Sequence, residues 1–248
     1  MKTMKLSALA LGLMAALPVL NSCDTDSDDV DVLRPTALVT VYPGASSGFT
    51  MQLDDQTTLV PTNMTASPFG EKHVRALVNY TEENATNGSI RNVHVNWIDS
   101  IRTKLPVETL GADDEKQYGN DPFEIVRDWV TVAEDGFITL RVRTRWGGTF
   151  YGYKPTHVLN LVGGVNKDNV YEFDLRHNAD GDTNGQMGDA LIAFDLNDYW
   201  TELPDNVKIK INWQSFSGKK SAEFSLKMHG GSKTETAVEQ APMSRYVK

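Results

Sequence analysis

From Thr36 onward the chain breaks into short bursts in which apolar and polar residues alternate with a period of two, the signature of half-buried β-strands. Thr36–Tyr42 is rich in β-branched and aromatic residues and stops at Pro43-Gly44, a strong turn pair. In the next burst Phe49, Met51 and Leu53 share one face against Thr50 and Gln52. Thr57–Val60 ends at Pro61, and the stretch 61–72 has two prolines, a glycine and no periodicity, which predicts a long loop. Val74–Tyr80 follows, then a polar turn containing Asn87-Gly88, then Ile90–Ile98 with Val93, Val95 and Trp97 on one face. Five short strands separated by turns predict a small barrel over 34–104.

The segment 105–120 mixes Pro, Gly and charge without a repeat and reads as a linker, with room for a helical turn around Asp113–Gln117. Regular strands resume beyond it. Trp129–Val132 runs into the hairpin signal Glu134-Asp135-Gly136, and Phe137–Trp146 alternates Ile138, Leu140 and Val142 against Thr139, Arg141 and Arg143. His157–Val162, Val170–Leu175, the continuous apolar run Leu191–Phe194, Val207–Trp213 and the alternating Phe224, Leu226 and Met228 complete a set of seven. Turn residues every ~8–12 positions predict a seven-stranded β-sandwich over 121–230, followed by a polar, loose tail at 231–248.

The runs Arg34–Val41, Phe49–Asp55 with Leu59-Val60-Pro61-Thr62-Asn63, and Val74–Tyr80 resemble the NigD-like lipoproteins of Bacteroidetes. The resemblance extends over the chain beyond the N-terminal segment and is more specific in its first half. It implies an OB-like barrel followed by a β-sandwich, an all-β fold, and an association with bacteriocin immunity. It brings no catalytic residues. An OB-like barrel by itself says little about function. Single-strand nucleic-acid sites need a basic groove and stacking aromatics. Here Asp54, Asp55, Glu82 and Glu83 occupy the turns and the chain carries a net charge of −9, so no nucleic-acid partner is expected.

The N-terminus has a different pattern. Lys2 and Lys5 precede an apolar run, Leu6 to Leu20, that is too short to span a membrane. Leu20-Asn21-Ser22-Cys23 then has the form of a lipoprotein cleavage box, with a branched apolar residue three positions and a small residue one position before the only cysteine. Residues 1–22 are therefore read as a lipoprotein signal peptide and Cys23 as the lipidated residue; a plain secretory signal is the alternative. With Cys23 so used, no thiol is left for a disulfide, a thiolate metal site or catalysis. Asp24, Asp26, Asp28, Asp29 and Asp31 make 23–33 a self-repelling, solvated tether. An acidic run directly after the lipid also resembles the surface-export signal of Bacteroidetes lipoproteins. The expected location is the outer membrane, lipid-anchored and exposed on the cell surface, with the periplasmic face as the alternative.

Candidate chemistry is sparse. Arg145–Lys154 interleaves Trp146, Phe150, Tyr151 and Tyr153 with glycines, a composition suited to stacking on a sugar or anchoring a partner protein, or to plugging the open end of the sandwich. Asp180, Asp182 and Asn184 open like a calcium loop, but the position where an EF-hand loop needs a bidentate Glu is Leu191, so a glycine-rich connection is the preferred reading and no metal is expected. Arg141, Arg143 and Arg145 stripe one strand face, as do Lys208 and Lys210; a solvated face is the preferred reading and a contact with an acidic partner the alternative. The five histidines lack metal spacing, and Asp99-Ser100-Ile101 matches a short O-glycosylation motif. No nucleophile elbow, zinc helix or phosphate loop occurs, and no cofactor is implied. The expectation is a non-catalytic binding or interaction module with an unidentified protein or glycan partner. A carbohydrate-binding accessory protein and a hydrolase with an unrecognised carboxylate pair are the alternatives.

Overall fold

The computed structural model describes residues 34–44, 48–83, 88–148, 152–167, 170–197, 199 and 206–228. Cys23 and the acidic residues Asp24, Asp26, Asp28, Asp29 and Asp31 lie outside them, as do Phe150, Tyr151 and the 231–248 tail. The fold is all-β.

Five strands form the first unit: β1 (Ala37–Pro43), β2 (Phe49–Gln52), β3 (Thr58–Pro61), β4 (Val74–Glu82) and β5 (Ile90–Ser100). They close into a barrel in the order β1-β2-β3-β5-β4, with β3 and β5 parallel and the other pairs antiparallel. Closure removes every free sheet edge. Val39, Val41, Met51, Leu59, Ala76, Val78 and Val93 fill the interior. Each such aliphatic side chain of Val or Leu size contributes roughly 1.5–3 kcal/mol on burial.

The second unit is a two-sheet sandwich. One sheet runs β10 (Val158–Lys167), β11 (Val170–Asn178), β13 (Asn206–Ser215), β14 (Gly218–Lys227), with β11 and β13 parallel. The other runs β6 (Arg102–Lys104), β12 (Gln186–Asp195), β9 (Phe137–Trp146), β7 (Glu124–Val126), and β8 (Val132–Glu134) also pairs with β9. Ile138, Leu140, Val142, Phe173, Ile209 and Ile211 interlock between the sheets.

The described sandwich thus has nine strands where the sequence pattern predicts seven. β6 and β7 are three residues each, too short to show a period. The strand expected at Trp129–Val132 is displaced to β8, because residues 129–131 form a turn closed by Thr131 N–H donating to the Asp128 carbonyl. The β8–β9 hairpin uses the Asp135-Gly136 pair as anticipated, with φ of 52° and 77° as a two-residue primed turn requires.

The segment expected to be a linker closes the sandwich. β6, on the barrel side of the expected boundary, pairs with β12 of the second unit. Just beyond it, Val107 N–H donates to the Leu161 carbonyl and its own carbonyl accepts from Gly163, so the chain passes from one sheet to the other along their common edge. Lys104 Nζ reinforces the crossing with hydrogen bonds of 2.6 Å to the Leu159 carbonyl and Asn160 Oδ1. A 3-10 turn (Gly111–Asp113) and helix α1 (Asp114–Tyr118) follow, where the helical turn is expected. Buried Asp114 holds that corner through Leu110 N–H and the Thr109 hydroxyl.

The barrel seats on the outer face of the β6-β12-β9-β7 sheet. Leu38 and Ile101 from the barrel side meet Val130 and Ala193, with Leu77 and Leu191 packed beside them. At the centre of this contact Arg75 is 1% exposed. Its guanidinium donates to Thr40 Oγ1 on β1 (2.7 Å), to Thr139 Oγ1 on β9 (3.2 Å) and to Glu134 at the end of β8 (2.5 Å). Tyr42 adds a 2.7 Å bond to Asp135, and burial followed by the Asp135 charge pushes its phenol well above the usual range.

Removing one partner of a buried charge pair is strongly destabilising because the other charge stays behind. Arg75→Met is expected to cost about 3 kcal/mol, the low end for such losses, since Glu134 retains some exposure. Chemical denaturation should then resolve two transitions in place of one; a single transition at an unchanged midpoint would refute the coupling role of Arg75.

Candidate functional site

The end of the sandwich away from the barrel is where β9 finishes, β12 begins and the β10–β11 hairpin opens. The described parts of the aromatic stretch, 145–148 and 152–154, and the Asp180–Gly185 loop meet there. At ~3.3 Å per residue, β9 carries Trp146 roughly 30 Å from the Phe137 end, beside which the barrel sits.

Trp146 is half-buried. Its ring lies over the His157 imidazole with centroids 3.9 Å apart, and its Nε1–H donates to the Gly188 carbonyl at 2.9 Å. Two glycines make this packing possible. A Cβ on Gly188 would come within 2.7 Å of the Trp146 ring, and one on Gly185 within 1.7 Å of the Trp146 carbonyl oxygen.

The loop carboxylates face protein donors. Asp182 is buried, and its two oxygens accept the N–H groups of Gly147 (2.8 Å) and Gly148 (2.7 Å). Burial works to raise this carboxyl, but the Gly148 and Gly147 N–H groups and His157 outweigh it and hold it below the usual carboxylate range. Asp180, at φ 52°, accepts from the Tyr153 hydroxyl and from Thr156 N–H, and the Tyr153 bond is the main cause of its lowered value. Asn184 is exposed on the same loop. Among the described residues no group of three or more acidic, His or Cys side chains is gathered as a metal site would need. The Asp180 and Asp182 oxygens staple that loop to Gly147, Gly148, Tyr153 and Thr156.

Two histidines complete the brace. His157 Nε2 lies 3.3 Å from Asp182, and its Nδ1 lies 3.0 Å from His177 Nε2. His177 Nδ1 faces the Asp121 carbonyl at 3.3 Å. A carbonyl can only accept, which places the His177 proton on Nδ1 and leaves Nε2 to accept from His157. Burial, followed by the neighbouring His157, lowers His177 from 6.5 to about 4. Neither histidine stands out in the sequence, where they are twenty positions apart. Only the antiparallel register Val158↔Asn178 and Leu159↔His177 makes them neighbours.

The basic stripe on β9 is likewise engaged. Arg141 bonds Asp128 and Asp189, Arg143 bonds Asp189, and Arg145 reaches the Gly185 carbonyl. Of the sequence-derived candidates, Trp146, Tyr153, Asp180 and Asp182 are therefore brought together at one end, with Tyr153 56% exposed and Trp146 turned inward.

The His177 shift has a pH consequence. Between about pH 4 and 6.5 the unfolded chain binds a proton at this residue that the folded one does not. Its contribution is therefore fully present above 6.5 and lost as pH falls through about 4, at most about 3 kcal/mol in total. Stability measured by denaturant titration should rise across that window, and His177→Gln should flatten the slope. An unchanged slope in the variant would rule out His177 as its source.

Residues 38–101 match the NigD-like N-terminal OB domain and residues 106–226 the NigD-like C-terminal beta sandwich domain. No curated protein sequence matches the chain significantly. Among solved structures, a chain from Parabacteroides distasonis ATCC 8503, named provisionally as toxin related, is 28% identical with a TM-score of 0.60, covering 77% of this chain and 92% of its own. A NigD-like immunity protein from Bacteroides caccae ATCC 43185 is 18% identical with a TM-score of 0.55, covering 77% and 96%. A chain from Bacteroides fragilis NCTC 9343, provisionally named a lipoprotein, is 14% identical with a TM-score of 0.53 and covers the same shares. The latter two likenesses are of fold. With both domain types matched in order along the same chain, this protein belongs to the NigD-like family.

Proposed function

We propose that this protein is a lipid-anchored envelope protein that acts as a non-catalytic binding module and serves bacteriocin immunity. The observation that carries the reading is the bracing of the distal end. Asp180, Asp182, His157 and His177 are all engaged by loop backbone or by one another. Groups that move protons in catalysis need access to a substrate, whereas these tie Gly147, Gly148 and Thr156 to the Asp180–Gly185 loop. A surface fixed before binding is presented at low entropic cost, and Tyr153 and Met187 stand exposed at this braced end.

The chain order supports a matching geometry. Cys23 carries the lipid, Asp24, Asp26, Asp28 and Asp29 direct export to the surface, and the tether enters the barrel at Arg34. The barrel then stands nearer the outer membrane and the braced loops reach away from it. No helix among the described residues is long and apolar enough to cross a membrane. The neighbour from Bacteroides caccae bears the name of an immunity protein. Here that role takes the form of intercepting a bacteriocin at the envelope through the distal loops.

The test is made in a Bacteroides host expressing the full chain. Labelled palmitate should enter the wild type and not Cys23→Ser, and external protease should cleave the wild type on intact cells. Replacement of Asp24, Asp26, Asp28 and Asp29 by Ala should keep the lipid and lose the cleavage. Wild-type cells should survive bacteriocin-containing supernatants that kill a deletion strain, with protection falling at least tenfold for Tyr153→Ala. Survival independent of the protein would overturn the immunity role, and palmitate retained in Cys23→Ser would overturn the anchor.

A further inference from the structure

A second site lies on the outer face of the β10-β11-β13-β14 sheet, near the distal end and beside α1. It is a groove of about 460 Å³, within the ~300–1,000 Å³ common for small-ligand sites. Such sites are mostly apolar, and this one is not. Its floor consists of two rows of polar side chains set by strand register. Asp174 pairs with Asn212 across β11–β13, and Asn212 with Ser221 across β13–β14. One step along the strands, Arg176 and Gln214 follow, with Lys219 opposite Gln214. Rows of this kind place functional groups ~4.8 Å apart from strand to strand and ~6.6 Å apart along each strand.

The floor is pre-organised. Arg176 donates to Asp174 (3.0 Å) and to Asn120 Oδ1 (3.3 Å), and Asn212 Nδ2 donates to the other Asp174 oxygen (3.3 Å). These bonds fix the planar groups, while the Asn120 amide N–H groups, Asn212 Oδ1 and Gln214 Oε1 have no partner among the described residues. The Ser221 hydroxyl and the Lys219 ammonium have no protein partner among the described residues. Lys220, by contrast, is paired with Glu124 at 3.0 Å. Phe216, in the turn two residues beyond Gln214, is exposed.

We infer that this groove binds a short acidic saccharide, its hydroxyls read by Asn120, Asn212, Gln214 and Ser221 and its carboxylate held by Lys219. Amide side chains supply both a donor and an acceptor, the pairing that vicinal hydroxyls require. Lys219 lines the groove from the β14 side and the Glu115 carboxylate from the α1 side, so a ligand carboxylate is favoured at the Lys219 edge and repelled at the other, which also fixes the ligand's direction. The predominantly polar walls disfavour an apolar ligand, which would leave the floor groups desolvated and unpaired. This site is separate from the braced loop end and does not depend on the immunity role.

The full chain, purified in detergent, is titrated calorimetrically with uronic-acid tetrasaccharides and with a neutral glucan tetrasaccharide of equal length. The acidic probe is expected to bind, and the neutral one to bind at least tenfold more weakly. Lys219→Gln should remove that preference, and Asn212→Ala should weaken the acidic probe at least tenfold. Lys72→Gln, which deletes an exposed charge on the barrel, should change neither. No heat with any acidic probe, equal affinity for the neutral glucan, or binding indifferent to both groove variants would each overturn the proposal.

Discussion

The fold turns on one buried guanidinium. Arg75 projects from the outer face of a barrel strand into the seam with the sandwich, where it is 1% exposed. Arginine cannot shed its charge in a protein, so it can be buried only where its donors find acceptors in fixed directions. Thr40 on the barrel and Thr139 and Glu134 on the sandwich supply them. The apolar contacts around it, Leu38 and Ile101 against Val130 and Ala193, hold the two units together without specifying an angle. The planar fork of Arg75 supplies the direction.

That seam governs the far end as well. Since β9 runs from the barrel contact to Trp146, fixing its start fixes where the aromatic loop emerges. There the same logic recurs with different groups. Asp182 gathers two backbone N–H groups, His157 stacks on Trp146, and buried His177 is held neutral against the Asp121 carbonyl. Glycines at 185 and 188 leave room for the tryptophan. Polar groups inside such a brace are costly unless satisfied, and here they are satisfied by backbone and by one another. The outer sheet face nearby combines fixed polar groups with unengaged ones, the property expected of a surface that meets a ligand.

Much of the architecture was legible because it follows from local pattern. Phe49 and Met51 alternate with Thr50 and Gln52 because one face of β2 is buried, and Asp135-Gly136 marked its hairpin because both residues must adopt positive φ. Elsewhere the pattern was overwritten by the tertiary fold. β1 is buried on both faces from Ala37 to Val41, the inner face by the barrel and the outer by the sandwich, so it lacks alternation. Thr139 falls on the polar side of the β9 alternation and Arg75 is a charged residue within a strand, and only the docking of the two units buries them. β6 and β7 were invisible because three residues carry no period. The apparent linker gave no sign that Val107 would bond to β10, since that depends on which edge stood open.

The sequence by itself determined the longer strands, the two-part all-β order and the anchor signature around Cys23, all properties of neighbours along the chain. Only the tertiary structure decided that Asp180 and Asp182 brace loops, that His157 and His177 touch, and that Asp174, Asn212 and Ser221 form one row. Those juxtapositions rest on strand register and on the parallel pairing of β11 with β13, which brings together segments more than thirty residues apart. Register is chosen by the packing of the whole core, and no local stretch of sequence contains it.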